Sequence, residues 1–339
     1  MKLEKGINFG GWLSQCPHTQ EHYSSFITEA DVKTAARWGF DHIRLPFDCD
    51  LVQTENGEFK EEGFARLRQF VRWCAAEGID VILDLHKACG YDFNDAETAE
   101  GNTLFSSPRL QDLFVQLWSE LSRQFADEKN AAFELLNEVV ETEAAQPWNE
   151  LIARTLAEIR KNAPHTPVIY GGIQWNSANT IRLLEKTDDE NVLLTFHMYE
   201  PLIFTHQKAY WVPGMDPHKD IAYPANMDYY RQESVPLGYK GKDVADTKGN
   251  CPGRQIMEDM VENACHAAAE KGARVYCGEY GVIDRAPVQD TLAWFTDIHS
   301  IFRTYGVGRA VWTYKEKDFG IAGSHYNEIR EKLIFLMTQ

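Results

Sequence analysis

The stretch Phe64-Ala65-Arg66-Leu67-Arg68-Gln69-Phe70-Val71-Arg72-Trp73-Cys74-Ala75-Ala76-Glu77-Gly78-Ile79-Asp80-Val81-Ile82-Leu83-Asp84-Leu85-His86 contains one complete structural unit. In its first half Phe64, Leu67, Val71 and Cys74 recur at three- and four-residue steps, the spacing of a helix with one apolar face. Gly78 follows the run, as glycine does where a helix stops in a left-handed residue. Asp80 to Leu85 then reads as a short apolar strand, and such a one-sided helix needs a sheet to cover.

The unit recurs from end to end. Strands are expected at Ile7 to Leu13, His42 to Leu45, Asp80 to Leu85, Ala132 to Leu136, Val168 to Tyr170, Val192 to Phe196, Arg274 to Cys277 and Ala310 to Thr313. Helical runs such as Leu110, Leu113, Phe114, Leu117 and Leu121 lie between them, and Gly39, Gly272 and Gly306 are placed like Gly78. Eight such units in 339 residues fit an α/β fold of the (β/α)8 TIM-barrel type. An open doubly wound sheet would usually carry a Gly-rich loop after its first strand. No G-x-G-x-x-G or P-loop is present, and Gly306-Val307-Gly308 lacks the third glycine and precedes a strand. With no Ser/Gly-rich linker and no repeat, the expectation is one catalytic barrel over 1–339. One connection is too long for a simple turn. Residues 200–253 lack sustained periodicity yet hold Phe204, Tyr210, Trp211, Tyr223, Tyr229, Tyr230 and Tyr239, which argues for order, since disordered segments are aromatic-poor. The segment reads as a subdomain inserted after strand six at the barrel mouth.

Composition narrows the partners. The net charge of −17 would repel a phosphate backbone, so nucleic acid is not expected. No run approaches the length of a membrane helix, and no signal peptide is evident. Seven scattered cysteines, with no C-x-x-C, read as buried or free thiols in a reducing compartment. A cytoplasmic chain is expected, or a secreted one whose leader is absent from this sequence; a monomer is the simplest assembly. Aromatic residues reach 12%. Flat apolar rings suit the C–H faces of sugars, and acidic surroundings do not repel a neutral polysaccharide.

In a parallel barrel the active site lies at the C-terminal strand ends, and these are polar here: Arg44-Leu45-Pro46, Asp84-Leu85-His86, Leu136-Asn137-Glu138, His197-Met198-Tyr199, Gly278-Glu279-Tyr280 and Trp312. A single glutamate near a strand end is ordinarily a solvated loop residue, and Arg44, His86, His197 and Trp312 taken singly are ordinary salt-bridge or packing residues. Together they converge on one cavity. Glu138 and Glu279 close strands four and seven, read as facing each other across the ring. Two carboxylates facing one cleft are the minimum equipment for glycoside hydrolysis, with one donating a proton and the other attacking the anomeric carbon or activating a water. Neither metal nor cofactor is required, and no H-E-x-x-H or close His/Asp cluster is seen. His18, His22 and Asp92 are left without a role. Trp175 after strand five and Trp211 in the insert read as stacking platforms or packing residues. Asn8, Trp12, Lys315 and Lys317 read as rim contacts.

Gly6-Ile7-Asn8-Phe9-Gly10-Gly11-Trp12, Arg44-Leu45-Pro46, Asp84-Leu85-His86, Leu136-Asn137-Glu138, His197-Met198-Tyr199, Gly278-Glu279-Tyr280-Gly281 and Trp312 occur in an order that resembles glycoside hydrolase family 5, the retaining cellulase-type barrels. The length and the insert with Phe204-Thr205-His206-Gln207-Lys208-Ala209-Tyr210-Trp211 look most like its single-domain clostridial-type endoglucanases. The resemblance implies a retaining β-glycosidase with Glu138 as acid/base and Glu279 as nucleophile. It further implies that Arg44 and Tyr199 keep Glu279 ionised, Asn137 binds the sugar 2-hydroxyl, His86 and His197 hydrogen-bond sugar and catalytic groups, and Trp312 forms the floor of the −1 site. Met198 stands where another aromatic is common, which implies a differently shaped neighbouring subsite. The expected substrate is a β-1,4 or mixed-linkage β-glucan, polysaccharide or oligosaccharide. Mannan, xyloglucan, β-1,3-glucan or short cellodextrins are alternatives within the family, and a catalytically silent carbohydrate-binding barrel is the alternative outside enzymes.

Overall fold

The computed structural model describes residues 1–95 and 101–339. Eight parallel strands, β1 (Lys5–Asn8), β2 (His42–Asp48), β3 (Asp80–Lys87), β4 (Ala131–Glu134), β5 (Val168–Gly171), β6 (Val192–Met198), β7 (Arg274–Tyr280) and β8 (Gly308–Val311), close into a barrel in sequence order, with β1 paired to β8. This is the expected (β/α)8 fold. Helices Glu29–Trp38, Glu61–Ala76, Pro108–Phe125, Ala145–Asn162, Arg254–Glu270 and Val288–Tyr305 form much of the outer layer. The β5–β6 crossover carries only a six-residue 3₁₀ segment, Ala178–Leu183. Gly39, Gly78, Gly272 and Gly306 all have positive φ, the left-handed stop that their positions implied.

Several strand ends differ from the sequence expectation. β1 stops at Asn8, well before Leu13, while β4 and β8 stop at Glu134 and Val311. The apolar residues beyond them, Phe9, Leu13, Leu135 and Leu136, are fully buried. Burial gives a loop the same apolar signature as a strand, so hydrophobicity overran the ladder. In contrast β2, β6 and β7 run on to Asp48, Met198 and Tyr280, because the ladder continues through polar residues that end the apolar run.

Side chains alternate across each strand, and in a barrel one set points to the axis. Ile82, Ala132, Ile169, Leu193, Tyr276 and Ala310 form a separate apolar cluster, the plug of the barrel interior. Below it the His42 ring meets the Tyr276 hydroxyl at 2.7 Å. Two residues further along their strands, on the same face, stand Arg44, Asp84 and Glu134. The polar floor of the site is thus laid directly on the apolar plug. The β7 register breaks once. His197 pairs with Glu279 after Phe196 pairs with Cys277, and Tyr280 pairs with Val311 after Cys277 pairs with Arg309, so Gly278 is an extra residue against both neighbours. A Cβ there would lie 2.9 Å from Thr195 Oγ1 and 3.2 Å from His197 Nε2.

Residues 200–253 carry short helices, Leu202–Thr205, Met227–Ser234 and Lys242–Ala245, where the sequence showed no sustained period. Phe204, Tyr223, Met227, Tyr230, Leu237 and Val244 are buried in the same core as the barrel helices. The Tyr223 hydroxyl donates to Asp297 at 2.7 Å, and Gln207 bonds the backbone of Ile221 in both directions. Among the described residues no helix is long and apolar enough to cross a membrane. All seven cysteines are free thiols.

Candidate active site

Arg44 organises the site. Its guanidinium is wholly buried, and Nε and Nη2 donate to the two oxygens of Glu134 at 2.7 and 2.9 Å. Nη1 donates to Asn8 Oδ1 at 3.0 Å and Glu279 Oε1 at 2.8 Å, while Nη2 also reaches Asn137 Oδ1 at 2.8 Å and Asp84 Oδ2 at 3.1 Å. A planar fork with five N–H donors suits such a multi-sided role, and a lysine could not reproduce it. The facing carboxylates hold the guanidinium pKa well above its ordinary value against the opposing effect of burial.

Burial opposes the ionisation of three acids around Arg44. Burial pushes Glu138 up to about 7 and Asp84 up to about 7, in each case against the pull of Arg44. Glu134 is also raised by burial. Both histidines are neutral because burial lowers them, His86 to about 3 and His197 to about 4.

Glu138 and Glu279 meet at His197. His197 Nδ1 lies 2.7 Å from Glu138 Oε1 and 3.7 Å from Glu279 Oε2, and one ligand atom of each of the three residues lies within 4.8 Å of the others. The remaining ring nitrogen, Nε2, is buried without a hydrogen-bond partner in the described structure. The Tyr199 hydroxyl donates to Glu279 Oε2 at 2.9 Å, so both oxygens of Glu279 are held. β4 and β7 are three strands apart around the ring, which corrects the expectation that they face each other. The carboxylates approach because Glu138 extends beyond the end of β4. Tyr91 braces this extension: its hydroxyl accepts from Val140 N at 2.7 Å and donates to Glu138 O at 3.1 Å.

On the far side of Arg44, His86 Nδ1 lies 2.7 Å from Asp84 Oδ2, and Nε2 meets Gln15 Nε2 at 3.1 Å. Trp312 stacks parallel to His86, with centroids 5.8 Å apart and planes within 3°. A Cβ at Gly10 would strike the Trp312 ring at 2.6 Å, so the first strand's loop supports this indole from below. Thus Arg44, His86, Asn137, Glu138, His197, Tyr199, Glu279 and Trp312 form one connected constellation.

The two outlying tryptophans flank it. Trp211 is 40% exposed and reaches Tyr199 through His206, with ring centroids 6.4 Å and 4.9 Å apart in turn. Trp175 follows β5, its amide donating to Val139 O at 3.1 Å, and its ring stacks on Tyr239 at 6.2 Å.

Three of the four expected rim contacts lie elsewhere. Asn8 is fully buried, its amide donating to Gly278 O, Ala310 O and Val311 O at 3.0 to 3.2 Å, and so ties β1 to β7 and β8. Trp12 is core, its indole donating to Tyr23 O at 2.9 Å. Lys315 pairs with Asp31 at 3.3 Å, whereas Lys317 stays near the site, donating to the backbone oxygen of Gln15, whose side chain meets His86. Met198 is fully buried and lines no subsite, because alternation turns it away from the axis when His197 faces in. Glu134 and Gln15 were not anticipated as site residues, and Asp84 was expected only as part of a polar strand end, without a role. The signal for the two acids was the two-residue period from Ala132 and Ile82.

Among the described residues two groups of metal-ligand type lie close, contrary to the expectation of no such cluster: Glu138, His197 and Glu279, and His18, Asp48 and Asp50. In the first, Arg44 already places a positive charge on Glu279, which opposes a second cation.

A closed parallel barrel with two glutamates side by side beyond its strand ends carries the equipment of the carboxylate-pair glycoside hydrolases. A family model described as cellulase (glycosyl hydrolase family 5) matches residues 4–318, and the chain belongs to this family. Among curated relatives, Endoglucanase C of Acetivibrio thermocellus is 33% identical over 344 residues, spanning 100% of this chain and 99% of its own length. Cellodextrinase A of Ruminococcus flavefaciens is 36% identical over 306 residues, spanning 90% and 83%. Among solved structures, the cellulose synthase subunit Z of Clostridioides difficile superposes with a TM-score of 0.78 over 100% of both chains at 21% identity, a likeness of fold.

Proposed function

We propose that the chain is a retaining endo-β-1,4-glucanase acting on β-1,4 or mixed-linkage β-glucan, with Glu279 as nucleophile and Glu138 as acid/base. One observation carries this reading: an oxygen of Glu138 and one of Glu279 lie within 4.8 Å of each other. Retaining enzymes separate their carboxyl groups by about 5 to 5.5 Å, whereas inverting enzymes leave about 6.5 to 9.5 Å for a water. In the first step Glu279 attacks the anomeric carbon as the Glu138 proton passes to the leaving oxygen. In the second, Glu138 deprotonates a water, which attacks the same carbon and releases Glu279. The test follows the first-formed sugar from a cello-oligosaccharide by NMR; β-anomer is expected, and α-anomer would sink the proposal.

The surrounding residues divide the work. Arg44 and Tyr199 hold both Glu279 oxygens, orienting the attacking carboxylate. Asn137 has its Oδ1 committed to Arg44, so Nδ2 is its atom for the sugar 2-hydroxyl. His86 offers Nε2 to a hydroxyl, and Trp312 forms the floor of the −1 site. His197 suits an acid/base partner. As a neutral ring it accepts through bare Nδ1 from protonated Glu138, or donates through Nδ1–H once Glu138 is ionised.

The direction of the Glu138 shift sets the pH dependence. A carboxyl raised to about 7 keeps its proton in mildly acidic solution and loses it through neutrality. The kcat/KM profile should therefore fall on the alkaline side with a limb near pH 7, and Glu138→Gln should abolish that limb in a stopped assay across pH 5–9. An unchanged limb in the variant would assign it to another group.

Trp211 and Trp175 extend the cleft as stacking platforms, and segment 200–253 forms its wall, tied to the β5 loop by Trp175–Tyr239 and by Asn179 Nδ2 to Asp243 at 3.2 Å. Losing one aromatic platform costs about 0.5–1.5 kcal/mol, so Trp211→Ala should lower kcat/KM on cellopentaose by roughly two- to tenfold while sparing an activated aryl glycoside. An equal loss on both substrates would remove Trp211 from the subsites.

A second reading within the same mechanism is favoured by the similarity to Cellodextrinase A: hydrolysis of short cello-oligosaccharides. Sizing products from a soluble cellulose derivative, lichenan and cellotetraose distinguishes the two. Rapid loss of viscosity is the expected endo result.

A further inference from the structure

Cys49 opens the short 3₁₀ turn Cys49–Leu51 that follows β2, and Cys89 lies in the loop after β3. Far apart in sequence, they meet because β2 and β3 are adjacent, with Asp48 paired to Lys87 at the last register position. Their sulfur atoms are 3.7 Å apart. Cys49 is buried at 7% exposure, whereas Cys89 is partly exposed and borders a cavity of about 680 Å³ whose lining includes Cys49, Asp50, Lys60, Cys89 and Arg109. We propose that Cys49 and Cys89 are a redox-active dithiol, a modification site outside the glycosidase machinery, oxidised to an intramolecular disulfide by low-molecular-weight disulfides.

The chemistry assigns the two sulfurs different roles. The hydrogen bond from the Cys49 thiol lowers the Cys89 thiol to about 7, with a smaller contribution from the Arg109 cation. The same contact, with burial, pushes Cys49 up. The thiolate is the attacking species, so Cys89, exposed at the cavity, is the entry point and Cys49 the resolving residue. In the first exchange the Cys89 thiolate attacks one sulfur of a disulfide RSSR, forming a Cys89–SR bond and expelling RS⁻. In the second, Cys49 attacks the Cys89 sulfur and expels the second RS⁻, and the protons of the two protein thiols end on two RSH. The dithiol loses two electrons and RSSR gains them. Closing the sulfur gap to the ~2.05 Å of a bond brings the two sulfur atoms together by roughly 1.7 Å.

The bond would tie the β2 turn to a loop that supports the cleft. Ala88 and Tyr91 exchange backbone hydrogen bonds at 3.1 and 2.9 Å across Cys89, and Tyr91 holds the backbone of Glu138 and Val140.

The test incubates the intact folded chain with oxidised glutathione, quenches with acid and maps the peptides. The expected result is an intact mass lower by about 2 Da, loss of about two of the seven thiols to Ellman's reagent, and a peptide pair joining Cys49 to Cys89, all reversed by dithiothreitol. In Cys49→Ser the reaction should stop at a mixed disulfide on Cys89, and in Cys89→Ser neither position should react. Circular dichroism checks that both variants are folded, and the wild-type peptide map stands without them. A map lacking the Cys49–Cys89 link, a link between other cysteines, or a link formed only in urea would overturn the proposal.

Discussion

Replacing Glu279 by glutamine is expected to lower kcat on cellotetraose by on the order of 10⁴-fold or more, with KM changed little. The amide is nearly isosteric, so the variant should fold and bind sugar. It cannot supply the anionic oxygen that forms the glycosyl–enzyme bond, and its NH₂ would oppose either the Arg44 Nη1 donor at 2.8 Å or the Tyr199 hydroxyl at 2.9 Å. Both neighbours donate, and a carboxylate accepts through both oxygens, so half of this arrangement is lost on amidation. Glu138→Gln should behave differently. It removes the proton donor, so the loss should be large for a sugar leaving group and much smaller for an activated phenol that leaves without protonation. Steady-state kinetics on cellotetraose and a dinitrophenyl cellobioside separate the two. If Glu279→Gln retained more than a few per cent of wild-type kcat on both, the assignment of the nucleophile would fail.

Arg44→Met should be the most damaging substitution for stability. The side chain is wholly buried, and Glu134 and Asp84 beside it are also wholly buried. Removing one member of a buried ionic group leaves the others uncompensated, which costs about 3–5 kcal/mol and would lower Tm by roughly 4–7 °C for a chain of this size. Part of the cost is escaped by protonation, since burial already raises Glu134 and Asp84. The sign follows from linkage. Acids whose folded pKa lies above the unfolded value stabilise the fold when protonated, and the deficit appears as pH rises through the folded pKa. The Tm difference between Arg44→Met and wild type should therefore widen from pH 5 to pH 8. Adding Glu134→Leu should recover part of it, because the orphaned charge is then gone. A Tm unchanged by Arg44→Met at pH 8 would show that the network contributes little to stability.

Much of this was legible before any coordinates. The alternation of one-sided helices with short apolar segments led to a (β/α)8 barrel, which closes in sequence order. The constellation from Arg44 to Trp312 followed from reading the residues that end each strand, because a parallel barrel delivers all those ends to one face. The illegible part has physical causes. Hydrophobicity reports burial and not pairing, so Phe9 to Leu13 looked like strand and is buried loop. Polarity at a strand end does not say which way a side chain points, so Asn8 was read as rim while it staples three strands. Glu134 was hidden because a charge inside an apolar strand precedes the polar end that marks the cleft, and Asp84 stood in such an end without a role, although the two-residue period from Ala132 and Ile82 leads straight to both. The insert's aromatics split into buried residues such as Phe204 and Tyr230 and exposed ones such as Tyr210, at 82%, a division set by three-dimensional packing.

The extra residue at Gly278 acts on side-chain direction as a frameshift acts on a message. Under strict alternation from Tyr276, which points to the axis, position 278 would face the cleft, Glu279 the helices and Tyr280 the cleft. The observed parity after the glycine is reversed: Glu279 meets Arg44, and Tyr280 packs on Phe295, His299 and Phe302 of the outer helix Val288–Tyr305. Two frames are spliced in one strand, the first serving the sheet and the second the cleft, and the splice falls on the residue type that adds no side chain to the crowded junction. An idealised β7 with unbroken pairing would give the barrel a more regular seam and send its nucleophile into the wall.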